Sequence, residues 1–190
     1  MKNALILHGT GNNSQGNWFP WLGDELRLLG WKVWVPNLPD SDAPNTKKYN
    51  DFILSNHDWK FDDQSFLIGH SSGAVAILGL LSVLPETVKV DTCILVGSFK
   101  DPLGVSKLND LFEVPFDFEK IKKHAKKFIF IHSDNDPYCP LDHAQYLAQK
   151  LGGELIIIKG QGHFNLENGQ KYKQFPELLQ LINSQTNKAE

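Results

Sequence analysis

The stretch that decides the fold of this chain is Ser65-Phe66-Leu67-Ile68-Gly69-His70-Ser71-Ser72-Gly73-Ala74. Residues 65–68 form a compact apolar run typical of a buried strand. Residues 72–84 are apolar on more than one face, which is typical of a helix packed deep against a sheet. Because so few residues separate the two segments, the chain is predicted to pass from strand to helix through a sharp turn.

Ser71 lies at the centre of this turn. Gly69 and Gly73 precede and follow it by two residues, where a sharp strand-to-helix turn leaves no room for larger side chains. The turn is expected to present Ser71 Oγ beyond the strand and to aim the Ser72 backbone N–H at the same point. This arrangement predicts Ser71 as a nucleophile. Serine is also a common N-cap residue, so either serine could simply cap the helix.

Apolar runs alternate with segments of helical period along the whole chain. The runs cover residues 4–7, 32–35, 65–68, 92–96, 128–131 and 155–158. Besides residues 72–84, helical spacing is found at Trp18, Leu22, Leu26 and Leu29, at Leu141, Ala144, Ala148 and Leu151, and at Tyr172, Phe175, Leu179 and Ile182. The alternation predicts an α/β fold built of right-handed βαβ units, with a mostly parallel sheet flanked by helices.

This pattern predicts a single α/β domain over residues 1–184. Within it, residues 100–117 lack a clean period, and Pro102, Gly104 and Pro115 favour an irregular excursion there. The polar tail, residues 185–190, is expected to fray.

Composition indicates an ordinary globular protein. Of its 190 residues 41% are hydrophobic and 22% charged, and the net charge of -3 comes without a sustained run of Lys or Arg, so neither nucleic acid nor an anionic membrane is expected as a partner. No stretch approaches a membrane span, and the first apolar segment is too short for a signal sequence. Cys93 and Cys139 fit neither a disulfide framework nor a zinc site. A reducing cytoplasm is the simplest location.

His163 is the outstanding candidate for the base that a serine nucleophile needs. The segment Gly160-Gln161-Gly162-His163 directly follows the last predicted strand. A flexible, glycine-flanked loop at that position is expected to swing the imidazole over Ser71 Oγ. An isolated histidine would more simply be a solvated loop residue, but its place after a strand favours the base.

The segment His132-Ser133-Asp134-Asn135-Asp136-Pro137-Tyr138-Cys139-Pro140 follows another predicted strand and offers two carboxylates. One of them could orient the base and stabilise its charged form. Asp136 is favoured over Asp134 because Pro137 and Pro140 would hold the loop after it rigid, although ordinary turn chemistry would explain either residue. The same cluster could suggest a metal, but it lacks a second well-placed histidine pair, so no metal or organic cofactor is expected.

The loop His8-Gly9-Thr10-Gly11-Asn12 follows the first predicted strand. Chain growth is expected to reverse direction there, which places this loop beside the turn at Ser71. The backbone N–H of Thr10 would then complete an oxyanion hole with that of Ser72. Nucleotide binding is disfavoured, because the loop has neither a Gly-Lys-Ser/Thr ending nor a full G-x-G-x-x-G pattern.

Together these motifs resemble those of the compact serine hydrolases related to retinoblastoma-binding protein 9, almost from end to end. The shared pieces are the first strand with its Gly-rich loop, Val35-Pro36-Asn37-Leu38-Pro39-Asp40, Ile68-Gly69-His70-Ser71-Ser72-Gly73-Ala74, Asp134-Asn135-Asp136-Pro137 and Gly162-His163-Phe164. The resemblance implies an α/β-hydrolase fold with a six-stranded sheet and no large lid domain. It also implies a catalytic triad of Ser71, Asp136 and His163, with Asp136 rather than Asp134 as the acid. No Leu-x-Cys-x-Glu motif is present, so a retinoblastoma-type partner is not implied.

Trp18, Phe112 and Phe116 are the candidate walls of a substrate pocket, although aromatic residues at such spacings are often core. Their apolar character suggests a small or medium hydrophobic acyl group. The predicted function is therefore hydrolysis of a small ester or amide through an acyl-enzyme. The alternative is a protein with the same fold that turns over little and serves as a binding or interaction module.

Overall fold

In a computed structural model, which describes residues 1–186, six strands form one parallel sheet. The strands are β1 (Asn3–Leu7), β2 (Lys32–Trp34), β3 (Ser65–His70), β4 (Val90–Val96), β5 (Ala125–His132) and β6 (Glu154–Ile157). Their order is β2-β1-β3-β4-β5-β6, and every neighbouring pair is parallel. The predicted six-stranded sheet is confirmed, and within residues 1–186 no large lid domain covers it.

In the described part of the chain, six α-helices connect and flank the strands: α1 (Phe19–Leu28), α2 (Thr46–Leu54), α3 (Ser72–Leu81), α4 (Phe118–Lys123), α5 (Leu141–Leu151) and α6 (Pro176–Thr186). Helices α2 and α4 were not predicted, because few of their residues are buried and their apolar spacing is sparse. Both begin at a capping side chain: Asn45 accepts a hydrogen bond from the Lys48 N–H, and Asp117 accepts one from the Lys120 N–H.

The sheet divides the core in two, which explains the nearly continuous apolar runs of the strands. On β1, Leu5 and Leu7 face the core formed by α2, α3, α4 and α5, whereas Ala4 and Ile6 face the core formed by α1 and α6. Every residue of α3 is buried, as its sequence predicted. No helix within residues 1–186 is both long enough and apolar enough to cross a membrane.

Two segments differ from the sequence expectations. The irregular excursion over residues 100–117 contains a short 3₁₀ helix, Ser106–Leu111, and α4 begins directly after it. Near the other end of the chain, α6 continues through Gln185 and Thr186, which were expected to belong to a frayed tail. Residues 187–190 of that tail lie outside the described residues.

The strand order places the loop after β1 beside the turn after β3. The chain leaves β1 toward β2 on one side and then crosses to β3 on the other side, so the outgoing loops of β1 and β3 diverge at a topological switch point. This position was predicted for the loop that contains Thr10. The carboxyl ends of β4, β5 and β6 lie along the same edge of the sheet.

Candidate active site

Ser71 adopts a backbone conformation that residues other than glycine rarely occupy, with φ 57° and ψ −125°. Its N–H donates to the Val96 carbonyl at 2.8 Å, and its own carbonyl accepts from the Ala74 N–H at 2.9 Å. The Ser71 side chain makes no capping hydrogen bond to α3. The strained turn therefore holds Ser71 Oγ away from the helix, which argues against a simple capping role.

The glycines on either side of Ser71 are required by close backbone contacts. A Cβ on Gly69 would lie 2.6 Å from the backbone of Ala74, and one on Gly73 would lie 2.4 Å from the Leu7 carbonyl oxygen. Real Cβ atoms do not approach backbone so closely, so both positions exclude any side chain. The expectation that Gly69 and Gly73 leave no room for larger side chains at this turn is confirmed.

His163 and Asp136 form a direct hydrogen bond, since His163 Nδ1 donates to Asp136 Oδ2 at 2.7 Å. The other carboxylate oxygen accepts from the backbone N–H groups of Tyr138 and Cys139, both at 2.9 Å. Burial by itself would raise the pKa of Asp136, but the hydrogen bond from His163 and the two from the backbone lower the pKa below its usual value. The carboxylate is 1% exposed and stays charged because these donors surround it.

The loop that carries His163 is fastened rather than free to swing, which corrects the expectation from its glycines. Three consecutive side chains of the neighbouring loop accept hydrogen bonds from three consecutive N–H groups, each at 2.8 Å. The pairs are Ser133 with Gln161, Asp134 with Gly160, and Asn135 with Gly162. Asp134, the other candidate carboxylate, therefore holds the loop and does not contact the imidazole in this way.

Ser71 and His163 line the same cavity, together with Thr10. The cavity has a volume of about 530 Å³. Within residues 1–186 the structure shows no direct hydrogen bond between Ser71 Oγ and the His163 ring. Such contacts are often long without substrate and shorten when it binds. The three predicted elements, from three different strand ends, thus meet at one cavity.

Thr10 and Ser72 are joined through their side chains, since Thr10 Oγ1 donates to Ser72 Oγ at 2.9 Å. This bond ties the loop after β1 to the first residue of α3. Neither backbone N–H donates a hydrogen bond to another group within residues 1–186. Two N–H donors without protein partners are what an oxyanion hole requires.

The predicted pocket residues do not form the walls of this cavity. Trp18 is fully buried in the core beneath α1, where its Nε1–H donates to the Phe164 carbonyl at 3.1 Å. Phe112 packs behind Phe99, with ring centroids 5.8 Å apart, and Phe116 packs on Phe112 farther from the site. Trp18 directly precedes α1 and packs with Phe19 and Leu22 in the core on that face of the sheet, whereas Phe112 packs against the core on the other face.

The observed lining comes from two parts of the chain. Phe99, Leu103, Val105 and Leu108 form an apolar wall, and the charged Lys107 lines the cavity beside them. The lining also contains Tyr138, whose ring meets the His163 ring edge-on at 5.2 Å and whose hydroxyl donates to Glu167. Part of the apolar wall lies in the excursion over residues 100–117. Its lack of helical or strand periodicity was the sequence signal that could have indicated a cavity wall there. No sequence signal pointed to Tyr138.

Asp136, Cys139 and His163 could in principle offer ligands to a metal, since one atom of each lies within 4.8 Å of the others. The Asp136–His163 hydrogen bond, at 2.7 Å, is shorter than the spacing of about 3.3 Å that two ligands adopt on tetrahedral zinc. Burial raises the pKa of the Cys139 thiol, whereas a metal ligand must be a thiolate. The arrangement fits a hydrogen-bonded acid–base pair better than a metal centre.

Relatives of known sequence match nearly the whole chain. A family described as serine hydrolase matches residues 4–184. YdeN from Bacillus subtilis (strain 168) is 31% identical over 169 residues, which are 88% of this chain and 88% of YdeN. Serine hydrolase RBBP9 from Rattus norvegicus is 27% identical over 186 residues, which are 95% of this chain and 94% of RBBP9.

Solved structures show the same architecture. The crystal structure of the B. subtilis ydeN gene product matches with a TM-score of 0.90 at 28% identity, covering 98% of this chain and all of that one. Est1E from Butyrivibrio proteoclasticus matches with a TM-score of 0.71 at 14% identity, covering 98% of this chain and 88% of Est1E, which supports the fold alone. The α/β-hydrolase fold and the resemblance inferred from the motifs are both confirmed, and the chain belongs to the serine hydrolase family.

Proposed function

We propose that the protein hydrolyses small esters or amides through an acyl-enzyme on Ser71, with His163 as the base and Asp136 as the residue that orients it. The observation that carries the proposal is the 2.7 Å hydrogen bond from His163 Nδ1 to Asp136 Oδ2, on a cavity that Ser71 also lines. Because Nδ1 carries the proton in that bond, Nε2 of the neutral ring is left as the acceptor that a base needs.

In the acylation step, His163 Nε2 takes the hydroxyl proton while Ser71 Oγ attacks the substrate carbonyl carbon. Asp136 stabilises the imidazolium that results, since its charged carboxylate is held against the ring. The imidazolium then gives its proton to the leaving alkoxide or amine as the carbonyl–leaving-group bond breaks. An acyl-serine remains, and neutral His163 activates a water molecule that releases the acid by the same sequence.

Two backbone N–H donors are proposed to stabilise the negative charge that develops on the substrate carbonyl oxygen. Among residues 1–186 the backbone N–H groups of Thr10 and Ser72 have no hydrogen-bond partner, and the N-terminus of α3 adds its favourable dipole. Backbone donors of this kind are already oriented before the reaction, so they stabilise the transition state without a reorganisation cost.

The cavity supports a substrate with an apolar acyl group. Its volume of about 530 Å³ lies within the range of small-molecule sites, and four apolar side chains line it, with the charged Lys107 and Glu167 also in the lining. A hydrophobic acyl chain placed against Phe99 and Val105 would be removed from water there, which favours binding.

Labelling with a fluorophosphonate probe tests the nucleophile directly, because the probe phosphonylates a serine activated by a base. The wild-type protein should be labelled and Ser71→Ala should not, and Ser55→Ala is the control, since Ser55 is exposed at the end of α2 and its hydroxyl donates to the Phe52 carbonyl. A folded wild-type protein that fails to label would overturn the proposal and favour the binding-module alternative. Labelling that survives Ser71→Ala would place the nucleophile elsewhere.

A panel of p-nitrophenyl esters with lengthening acyl chains, together with aminoacyl amides, then tests the substrate class. We expect kcat/KM to rise from the acetate to medium chains, because each added methylene gains contact with the apolar wall. A preference for charged or strongly polar acyl groups would contradict the proposed substrate class while leaving the nucleophile intact.

A further inference from the structure

His70, the residue before the predicted nucleophile, is buried against the residue proposed as the base. Its side chain is 3% exposed, and its ring centroid lies 4.8 Å from that of His163. Its Nε2 lies 2.7 Å from the His163 carbonyl oxygen. Because a carbonyl oxygen can only accept, Nε2 must carry the proton and donate it.

The peptide bond that receives this hydrogen bond is followed by a strained residue. Phe164 has φ 53°, a value that a bulky aromatic residue adopts only when its surroundings impose it. The carbonyl oxygens on both sides of Phe164 Cα are held: that of His163 by His70, and that of Phe164 by Trp18 Nε1 at 3.1 Å. Within residues 1–186 the single hydrogen bond of the Phe164 N–H is a long one, at 3.4 Å, to the Gln161 carbonyl. The orientation of the His163–Phe164 peptide therefore depends mainly on His70.

The His70 ring is well suited to remain in this role. Burial, and then the nearby His163, lower its pKa to about 3, so the ring is neutral around pH 7. A neutral ring does not oppose the positive charge that His163 acquires in the proposed reaction. The other nitrogen, Nδ1, has no hydrogen-bond partner within residues 1–186, so the bond from Nε2 is the polar contact that fixes the ring.

We infer that His70 is a positioning residue: its Nε2–H holds the strained His163–Phe164 peptide and thereby aims the His163 imidazole at Ser71. The inference rests on the proposed function, because it assigns His70 a role in a reaction that His163 must catalyse. His70 does not contact the reacting atoms in this scheme. Loss of its donor would let the peptide relax and displace the imidazole.

His70→Leu and His70→Gln separate positioning from packing. Leucine fills the site without a donor, whereas the glutamine side-chain amide reaches about as far as Nε2 and can donate to the same carbonyl. With p-nitrophenyl acetate, we expect His70→Leu to lower kcat at least about tenfold with little change in KM, since small misplacements of a catalytic group are costly. His70→Gln should recover most of the lost kcat.

His124→Leu is the matched control for the loss of a buried histidine. His124 is 2% exposed, and its Nδ1 lies 2.8 Å from the Val88 carbonyl oxygen, but it directly precedes β5 and so lies at the opposite edge of the sheet. Both leucine variants should lower Tm, and only His70→Leu should lower kcat at a temperature where both are folded.

The outcomes separate a failure of the proposed hydrolysis from a failure of the positioning role of His70. A wild-type protein that neither hydrolyses the ester nor reacts with the fluorophosphonate would overturn the proposed function and this inference with it. An active wild type together with a His70→Leu variant of unchanged kcat would overturn the inference alone. A His70→Gln variant as slow as His70→Leu would also overturn it, because the donor would then not be the property that matters.

Discussion

Thr10 Oγ1 donates a hydrogen bond to Ser72 Oγ at 2.9 Å, and this bond joins the loop after β1 to the first residue of α3, whose backbone N–H groups are proposed to form the oxyanion hole. The side chains of Thr10 and Ser72 are therefore bonded to each other, and the backbone N–H groups of the same two residues are the proposed oxyanion donors. This relationship allows the oxyanion hole to be tested by mutation, although its backbone donors cannot be removed by side-chain substitution.

Thr10→Val should lower kcat by about tenfold, because the N–H of residue 10 loses its fixed position while valine keeps the shape of threonine. Ser72→Ala should have a similar effect, and the double variant should be no worse than either single one, since both remove the same bond. The measurement is kcat on p-nitrophenyl acetate. Thr92→Val is the control, because the Thr92 hydroxyl binds Asp91 in β4 near the opposite edge of the sheet. Effects that multiply in the double variant would contradict the shared bond.

Asp136→Asn should lower kcat/KM by about 10³–10⁴-fold, as expected when the base is held in the wrong tautomer. The matched control is Asp134→Asn. Asp134 accepts one hydrogen bond, from the Gly160 N–H, and an asparagine oxygen can accept it equally well. We therefore expect Asp134→Asn to keep nearly full activity. Equal losses in the two variants would show that the loop as a whole, rather than the carboxylate on His163, sustains activity.

Val105→Trp should reduce kcat/KM for long-chain esters while leaving the acetate nearly unaffected. Val105 is partly exposed and lines the apolar wall of the cavity, so a larger side chain there takes up the space available to an acyl chain. Val114→Trp is the control, since Val114 is 74% exposed and does not line that cavity. If both variants treat short and long esters as the wild type does, the acyl chain binds elsewhere.

The free energy of unfolding should fall as the pH is lowered from about 6.5 toward 3. The native pKa of His70 is about 3 because burial opposes its charge, whereas an unfolded histidine takes up a proton near pH 6.5. Over this interval the unfolded state binds the extra proton, so acid favours unfolding by up to about 1.4 kcal/mol per pH unit. Burial also lowers the pKa values of His8 and His132, and both act in the same direction.

Urea unfolding of the wild type and His70→Gln at several pH values measures this effect. Glutamine does not titrate, so the variant should lose stability less steeply between pH 6.5 and 4. Asp136 contributes at lower pH, since its native pKa is lowered and its stabilising charge is lost only as the pH falls through that value. Parallel stability curves for the two proteins would contradict the assignment of the slope to His70.

The elements that depend on local apolar patterning and on close backbone contacts were predictable from the sequence. The alternation of apolar runs and helical segments predicted the parallel sheet, because strands buried on both faces must be apolar throughout. Gly69 and Gly73 predicted the sharp turn, because the reason for them is a backbone contact within a few residues or with the adjacent strand. Helices α2 and α4 escaped prediction, since their sparse apolar contacts carry little periodicity.

The strand-end loops could be identified in sequence, whereas their contacts with one another depend on tertiary structure. The motifs located Ser71, Asp136 and His163 at the ends of three strands. The fastening of the Gly160–His163 loop by three side chains, the donation from His70 and the identity of the cavity walls involve residues far apart in the chain. Trp18 shows the difference: its spacing correctly indicated an apolar helix face, but only the packing of that face against the sheet decided that it belongs to the core rather than the cavity.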